Sequence, residues 1–426
     1  MSVTRTILLA LTGLLLLAAP AGAAISTKTL RVGPITVGPY QVKQNDAELG
    51  VPTPEIDGFI TRMEADVVDA NGTPVPISRL MLHHIVFANA GSTFGEKKDA
   101  TCETFTALDS VTKIPAIAER FYAAGQERAV MDLPSGYGYK VGKADNWAMI
   151  WMLMNHRSKT DTAYIQYKVT VDDDPSLKPV KPVWMDVRDC KSDPVYDVPG
   201  GGEPGSLDTE TETWQAPSSG RIVAGGGHVH GGGRALTLSQ PDCGDRVLHT
   251  STPTWGKPDH PFYTVKPVLH EPGPVHMSAF KSAQGFPIGA GQSLKLTSTY
   301  DAELPHSRVM GIELVYFAAD QNADACGALP TDLIQSSSPV AGRTAPPKVT
   351  VPLTGLDSRG RAVRISRPPG RTTRLKGNAR VRVEDVRFNR RNLSIRRGAT
   401  VRWDFKGNLL HDVTLASGPR AFSSPH

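Results

Sequence analysis

The sequence has only one long apolar run, at its amino terminus, which falls short of the roughly 20 residues needed to cross a bilayer, and no second candidate span follows, which excludes a polytopic helical membrane protein. Cysteine is scarce, at 4 residues in 426, and no CxxC pair occurs, so redox or zinc motifs built on that spacing are absent. Long stretches of helical periodicity are also missing. In their place stand short β-branched runs bounded by Gly, Pro, Asn and Asp, in a chain with 40 glycines and 34 prolines, which predicts an all-β protein. At 426 residues it is too long for one ordinary core, and two or three domains are expected.

Residues 1–24 read as a secretory signal, with Arg5 as the positive n-region, Ile7 to Ala19 as the apolar h-region and Ala21-Gly22-Ala23 as a small-residue cleavage site. The mature chain is therefore expected outside the cytoplasm, either secreted or at the cell-envelope exterior. In that setting Cys102, Cys190, Cys243 and Cys326 predict disulfides. Of the three possible pairings, Cys243 with Cys326 is favoured because both flank the second histidine region. Charge divides sharply along the chain: from Ala341 onward there are 19 Lys/Arg against 5 Asp/Glu, leaving 28 against 37 in the remainder. Such a basic tail suits an anionic envelope surface or an acidic partner, and export argues against nucleic acid. An Arg-rich linker held extended by self-repulsion fits the same composition.

The histidines carry the chemistry. His228-Val229-His230 is flanked by three glycines on each side. In an extended strand, residues two apart project to one face, so these imidazoles can chelate one ion. The glycines let the backbone turn sharply or approach closely. A Gly-rich turn with two solvated histidines accounts for the motif alone equally well. Leu80 to Phe87 predicts an apolar strand carrying His83 and His84, whose side chains should point to opposite faces unless the backbone is bulged. Trp147 to His156 predicts a second apolar strand ending at a histidine, its methionines serving as core filling. Tyr164 to Val171 alternates cleanly, as in an antiparallel strand with one wet face. Met310 begins a further strand, and in isolation reads as an ordinary core residue.

Organisation follows from turn density. The expected units are residues 25–190 and 191–330 as two β domains, 331–378 as a linker rich in Pro, Ser and Arg, and 379–426 as a further β segment. Two ligand sets emerge: His83, His84 and His156 in the first half, then His228, His230 and Met310 in the second. Each is a local pair plus one distant residue, at separations of 72 and 80. Three nitrogens suit copper or zinc; two nitrogens with a thioether favour copper.

This ordered set resembles the copper type II, ascorbate-dependent monooxygenases, the family of peptidylglycine α-hydroxylating monooxygenase and dopamine β-monooxygenase. The resemblance covers Leu30 to Ala328 and implies two tandem antiparallel jelly-roll-type β-sandwiches. It implies two copper ions, an electron-supplying one at His83, His84 and His156 and an oxygen-activating one at His228, His230 and Met310. Ascorbate or another one-electron reductant would reload both, and a small-molecule substrate would be hydroxylated with dioxygen. Where peptide-hydroxylating members hold the substrate carboxylate, this chain has Gly226, Ile312 and Leu314, so peptidylglycine is not the expected substrate. A non-catalytic copper-binding or electron-transfer protein is the alternative, and a structural sandwich with incidental histidines is a third.

Val381 to Pro425 looks like the first half of a cupredoxin, with His411 at the place of the first blue-copper ligand. The later loop that would bring the remaining ligands does not occur before His426. An incomplete, poorly covered β segment without a full blue-copper site is expected there.

Overall fold

The computed structural model describes residues 24–406 and residue 413, apart from 40, 94, 103–104, 109–114, 158, 189–193, 265–269, 305, 344–353, 357–361, 365–369 and 385–386. The signal segment, Cys190 and His411 lie outside these. The chain is all-β. Among the described residues its only α-helix is the single turn Pro261–Thr264, and no helix is long and apolar enough to cross a membrane.

Sixteen principal strands build two sandwiches. The first contains β1 (Ile25–Val37), β2 (Val42–Val51), β3 (Gly58–Val68), β4 (Leu80–Asn89), β5 (Glu119–Gly125), β6 (Tyr137–Val141), β7 (Trp147–Asn155) and β8 (Asp161–Asp172). The second contains β9 (Lys181–Asp186), β10 (Leu207–Gln215), β11 (Gly220–Val229), β12 (Gly233–Gln240), β13 (Arg246–Ser251), β14 (Ala279–Ile288), β15 (Ser293–Asp301) and β16 (Gly311–Ala319). The first sandwich has sheets ordered β1-β8-β3-β6 and β2-β7-β4-β5; the second has β9-β16-β11-β14 and β10-β15-β12-β13. Strand for strand the two orders are the same, and all these pairings are antiparallel, the arrangement of an eight-stranded jelly roll.

Local pattern explains each layer. On β8, Ala163, Ile165, Tyr167, Val169 and Val171 are buried while the residues between them are half-buried or exposed, so that sheet has one wet face. Strands β7 and β16 are different. Every residue of β7 is buried: Trp147, Met149, Trp151 and Leu153 enter the main core of the first sandwich, whereas Met152 and Met154 join Phe262 in a small cluster on the other side. On β16, Val315 and Phe317 enter the core of the second sandwich, while Ile312, Leu314 and Tyr316 pack with the apolar residues of the first. Sheet β2-β7-β4-β5 therefore faces sheet β9-β16-β11-β14 across an apolar contact. Polar ties cross it as well: the Tyr316 hydroxyl donates to the Phe121 carbonyl at 3.0 Å, and Lys281 pairs with Asp132 at 2.6 Å.

The passage between sandwiches comes earlier than the turn-rich stretch after Cys190. Pro179 still pairs with Gly138, whereas Lys181 already pairs with Phe317. Part of the expected linker is a strap on the second sandwich, because Ile334 and Gln335 pair with β14 and Arg343 exchanges two backbone hydrogen bonds with Trp255. Beyond it, Ala379–Glu384 pairs in parallel with Val401–Phe405 and antiparallel with Arg387–Phe388, burying Val381 and Val383. Cys243 and Cys326 form a disulfide, tying the turn after β12 to the segment after β16; Cys102 is also disulfide-bonded.

Buried Asp186 closes β9 and accepts the Arg188 backbone N–H at 2.8 Å. Burial pushes its carboxyl up to about 7, against the pull of that N–H and of Arg120. A carboxyl raised on folding supports stability below its unfolded value near 4 and loses that contribution as pH rises through 7. Asp186→Asn should therefore raise stability at pH 8 by about 2–4 kcal/mol and change it little at pH 4, measured by urea unfolding at both pH values.

Candidate metal centre

The imidazoles gather where the two sheets face one another. On β4 the pairing with β7 runs from His84 opposite Met152 to Leu82 opposite Leu153, so His83 is an extra residue, a β-bulge. The bulge overrides alternation: the Nδ1 atoms of His83 and His84 lie 3.1 Å apart. His228 is paired with Ile312 on β16, and its side chain looks toward the first sandwich. There its Nδ1 lies 3.1 Å from a carboxylate oxygen of Glu127. Burial raises the Glu127 carboxyl, but the His228 ring and the backbone N–H groups of Glu127 and Gly125 outweigh it and leave its pKa lowered.

His230 follows the end of β11 and is almost fully buried. Its backbone N–H donates to the Tyr300 hydroxyl at 2.8 Å, and its Nδ1 lies 2.8 Å from the Arg308 carbonyl. His270, on the connection between β13 and β14, places its Nδ1 2.7 Å from the Glu271 carbonyl. A carbonyl only accepts, so both rings carry their proton on Nδ1 and turn an unprotonated Nε2 outward. His83, His230 and His270 converge: each offers a ring nitrogen within 4.8 Å of the other two. Their rings meet edge to face with centroids 4.4–5.0 Å apart. Burial, and then the neighbouring imidazoles, hold His83 and His230 well below the usual histidine range, and burial takes His270 down to about 4. At neutral pH these are uncharged ligands.

The structure brings members of both expected sets together. His83 of the first set meets His230 of the second, together with His270, which the sequence reading passed over. His84 and His228 line one cavity of about 70 Å³ with Met310, Glu127, Val86, Ile150, Trp184, Ile312 and Leu314. Met310 is buried in the apolar cluster shared by the two sandwiches, and its carbonyl accepts the Tyr300 hydroxyl at 2.5 Å. His156 is buried just beyond the end of β7 and is not one of the three converging rings.

A second layer supports the centre. Both carboxylate oxygens of Glu271 lie within 2.9 Å of the His306 Nδ1. The glycines around His230 make room for this pair. A Cβ on Gly231 would lie 2.2 Å from the Glu271 side chain, and one on Gly232 would lie 2.3 Å from the His306 ring. Glu127, Glu271 and His306 had no pattern to announce them. The one available signal for His270 is its place in His270-Glu271-Pro272-Gly273-Pro274, where prolines fix the loop.

Gly232 also has φ +82°, so Gly232→Ala meets both backbone strain and the His306 ring. Gly244, at φ +73° with nothing within 4 Å of a Cβ, meets strain alone. Urea midpoints should show Gly232→Ala losing on the order of 2 kcal/mol or more, and Gly244→Ala about 1 kcal/mol.

No family model matches the chain, and no curated protein matches it. Among solved structures it is similar to the STIV MCP, at 9% identity over 70% of this chain and 98% of that one, with a TM-score of 0.31. It is similar to a peptide-N(4)-(N-acetyl-β-D-glucosaminyl) asparagine amidase at 8% identity, over 73% of this chain and 100% of that one, with a TM-score of 0.33. The infectious bursal disease virus Gt strain structure gives 12% identity, 75% and 78% coverage and a TM-score of 0.19. At these scores the likenesses carry no argument about function.

Proposed function

We propose that the chain is an exported copper-dependent monooxygenase that hydroxylates a C–H bond of a small apolar molecule, using dioxygen and ascorbate or another one-electron reductant. The observation that carries this reading is the cavity between the sheets, where His84, His228 and Met310 meet a largely apolar wall. Gly226, Ile312 and Leu314 line it too. The positions that would hold a carboxylate in the resembled family are thus cavity wall here, which favours a substrate without one.

The residues fit copper. His83, His228 and His230 each bury an Nε2 that has no hydrogen-bond partner, and a thioether with imidazoles is a soft-to-borderline donor set. Bound copper supplies one-electron transfer and oxygen activation. The protein does the rest. Glu127 takes the Nδ1 proton side of His228, so that Nε2 is presented for ligation. The Ile312, Leu314 and Trp184 side chains exclude water from the cavity. The one guanidinium in the wall, Arg120, is neutralised by Asp99 and lies over the Phe105 and Trp184 rings at 4.3 and 4.5 Å.

Export is supported by the apolar amino terminus and the Cys243–Cys326 disulfide. Exposed Arg382 and Arg396 on the basic carboxy-terminal segment suit an anionic envelope surface. A second reading, a copper carrier or electron-transfer protein without turnover, is favoured by the direct contact of the His83 and His230 rings, which joins the two ligand sets.

Purified protein should hold about two coppers per chain, and ascorbate-driven oxygen uptake should fall at least about tenfold in Met310→Ala while the fold is retained. Copper reduction without oxygen uptake in the parent protein would establish the carrier reading. No bound copper would reject both.

A further inference from the structure

We propose that His83, His230 and His270 form a three-imidazole metal site that bridges the sandwiches, draws one histidine from each expected copper set and takes a single zinc or monovalent copper ion. The site rests on two observations, independent of the cavity. First, the three ring nitrogens lie within 4.8 Å of one another although they come from β4, the end of β11 and the β13–β14 connection. Second, the Nε2 atoms of His83 and His230 are buried with no hydrogen-bond partner, in residues 3% and 1% exposed. A buried polar nitrogen left unpaired is costly, and at a convergence of three it calls for a ligand.

The surroundings select the ion. The three donors are neutral imidazoles, and the carboxylate nearest to His270 along the chain, that of Glu271, is occupied with His306. A hard cation that needs oxygen ligands finds no carboxylate in the triangle among the described residues, whereas zinc and monovalent copper accept three nitrogens. Backbone carbonyls of Arg308 and Glu271 hold the His230 and His270 rings in the required tautomer, the usual outer support of a metal-bound histidine. Two nitrogens sharing one zinc at ~2.1 Å sit about 3.4 Å apart, so loading would draw the rings together by no more than about 1.4 Å. Because His83 belongs to one sandwich and the other two rings to its neighbour, the ion would pin the sheets in contact.

The proposal deepens the copper reading at the same place, and His270 separates the two, since it belongs to neither expected copper set. Zinc is the probe. Competition against a chromophoric chelator on the full mature chain should show one tight site, weakened at least about a hundredfold in His270→Ala and His83→Ala. It should be unchanged in His156→Ala, a control for folding and for the first copper set. Loaded with Co²⁺, the parent should show the visible absorption of a low-coordinate nitrogen site, and His270→Gln should lose it. Equal zinc affinity in His270→Ala and parent, or a site surviving without His83, would overturn the proposal. Copper-dependent oxygen uptake that persists in His270→Ala would leave the monooxygenase reading standing; its absence in the parent would sink that reading alone.

Discussion

The structure depends on two sheets whose central strands have no wet face. Sheet β2-β7-β4-β5 and sheet β9-β16-β11-β14 each bury one side in their own sandwich and present the other to the neighbour. Burying Trp184, Ile312, Leu314 and Tyr316 at that contact contributes roughly 1.5–3 kcal/mol for each large side chain. Against this stand unpartnered Nε2 atoms on His83, His228 and His230, each costing about 1–3 kcal/mol when buried. The apolar contact is large enough to hold such groups in a dry place. That is the condition under which nitrogen lone pairs remain available to a metal instead of to water.

Much of the strand architecture was legible because one-faced sheets write a period of two. Strand β8 is the clearest case, and the alternating β15 is another. Strands buried on both faces write a continuous apolar run, so the presence of β7 and β16 was legible but the direction each side chain takes was not. The bulge at His83 is a property of the pairing with β7 and leaves no mark in the β4 sequence itself. The six-residue strand β9 resembles a continuation of the first domain, and only its partner β16 assigns it to the second.

The candidate centre was half legible for a related reason. His-His and His-x-His are visible because they are adjacent in sequence, and their order along the chain suggested two local sets. Space groups them by where they meet across the contact between the sheets. His270 lies on a connection with no periodicity, so nothing ranked it above the other isolated histidines. The glycines beside His230 marked a crowded place correctly in kind, a sharp turn with close approach, but the groups that approach are Glu271 and His306.

The same histidines support two groupings, and the separation of the sheets decides between them. His83, His84 and His156 ride on one sandwich, and His228, His230 and Met310 on the other, so neither proposed copper set requires the sheets to touch. The triangle of His83, His230 and His270 does, because it exists only across the contact. The cavity lies along that contact, which is held by apolar packing and a few polar ties such as Tyr316 to Phe121. On the proposed reading, an ion in the triangle therefore also holds His84 on one wall of the cavity in register with His228 on the other. A two-sandwich design with imidazoles at the seam makes that coupling a consequence of geometry, with no further device required.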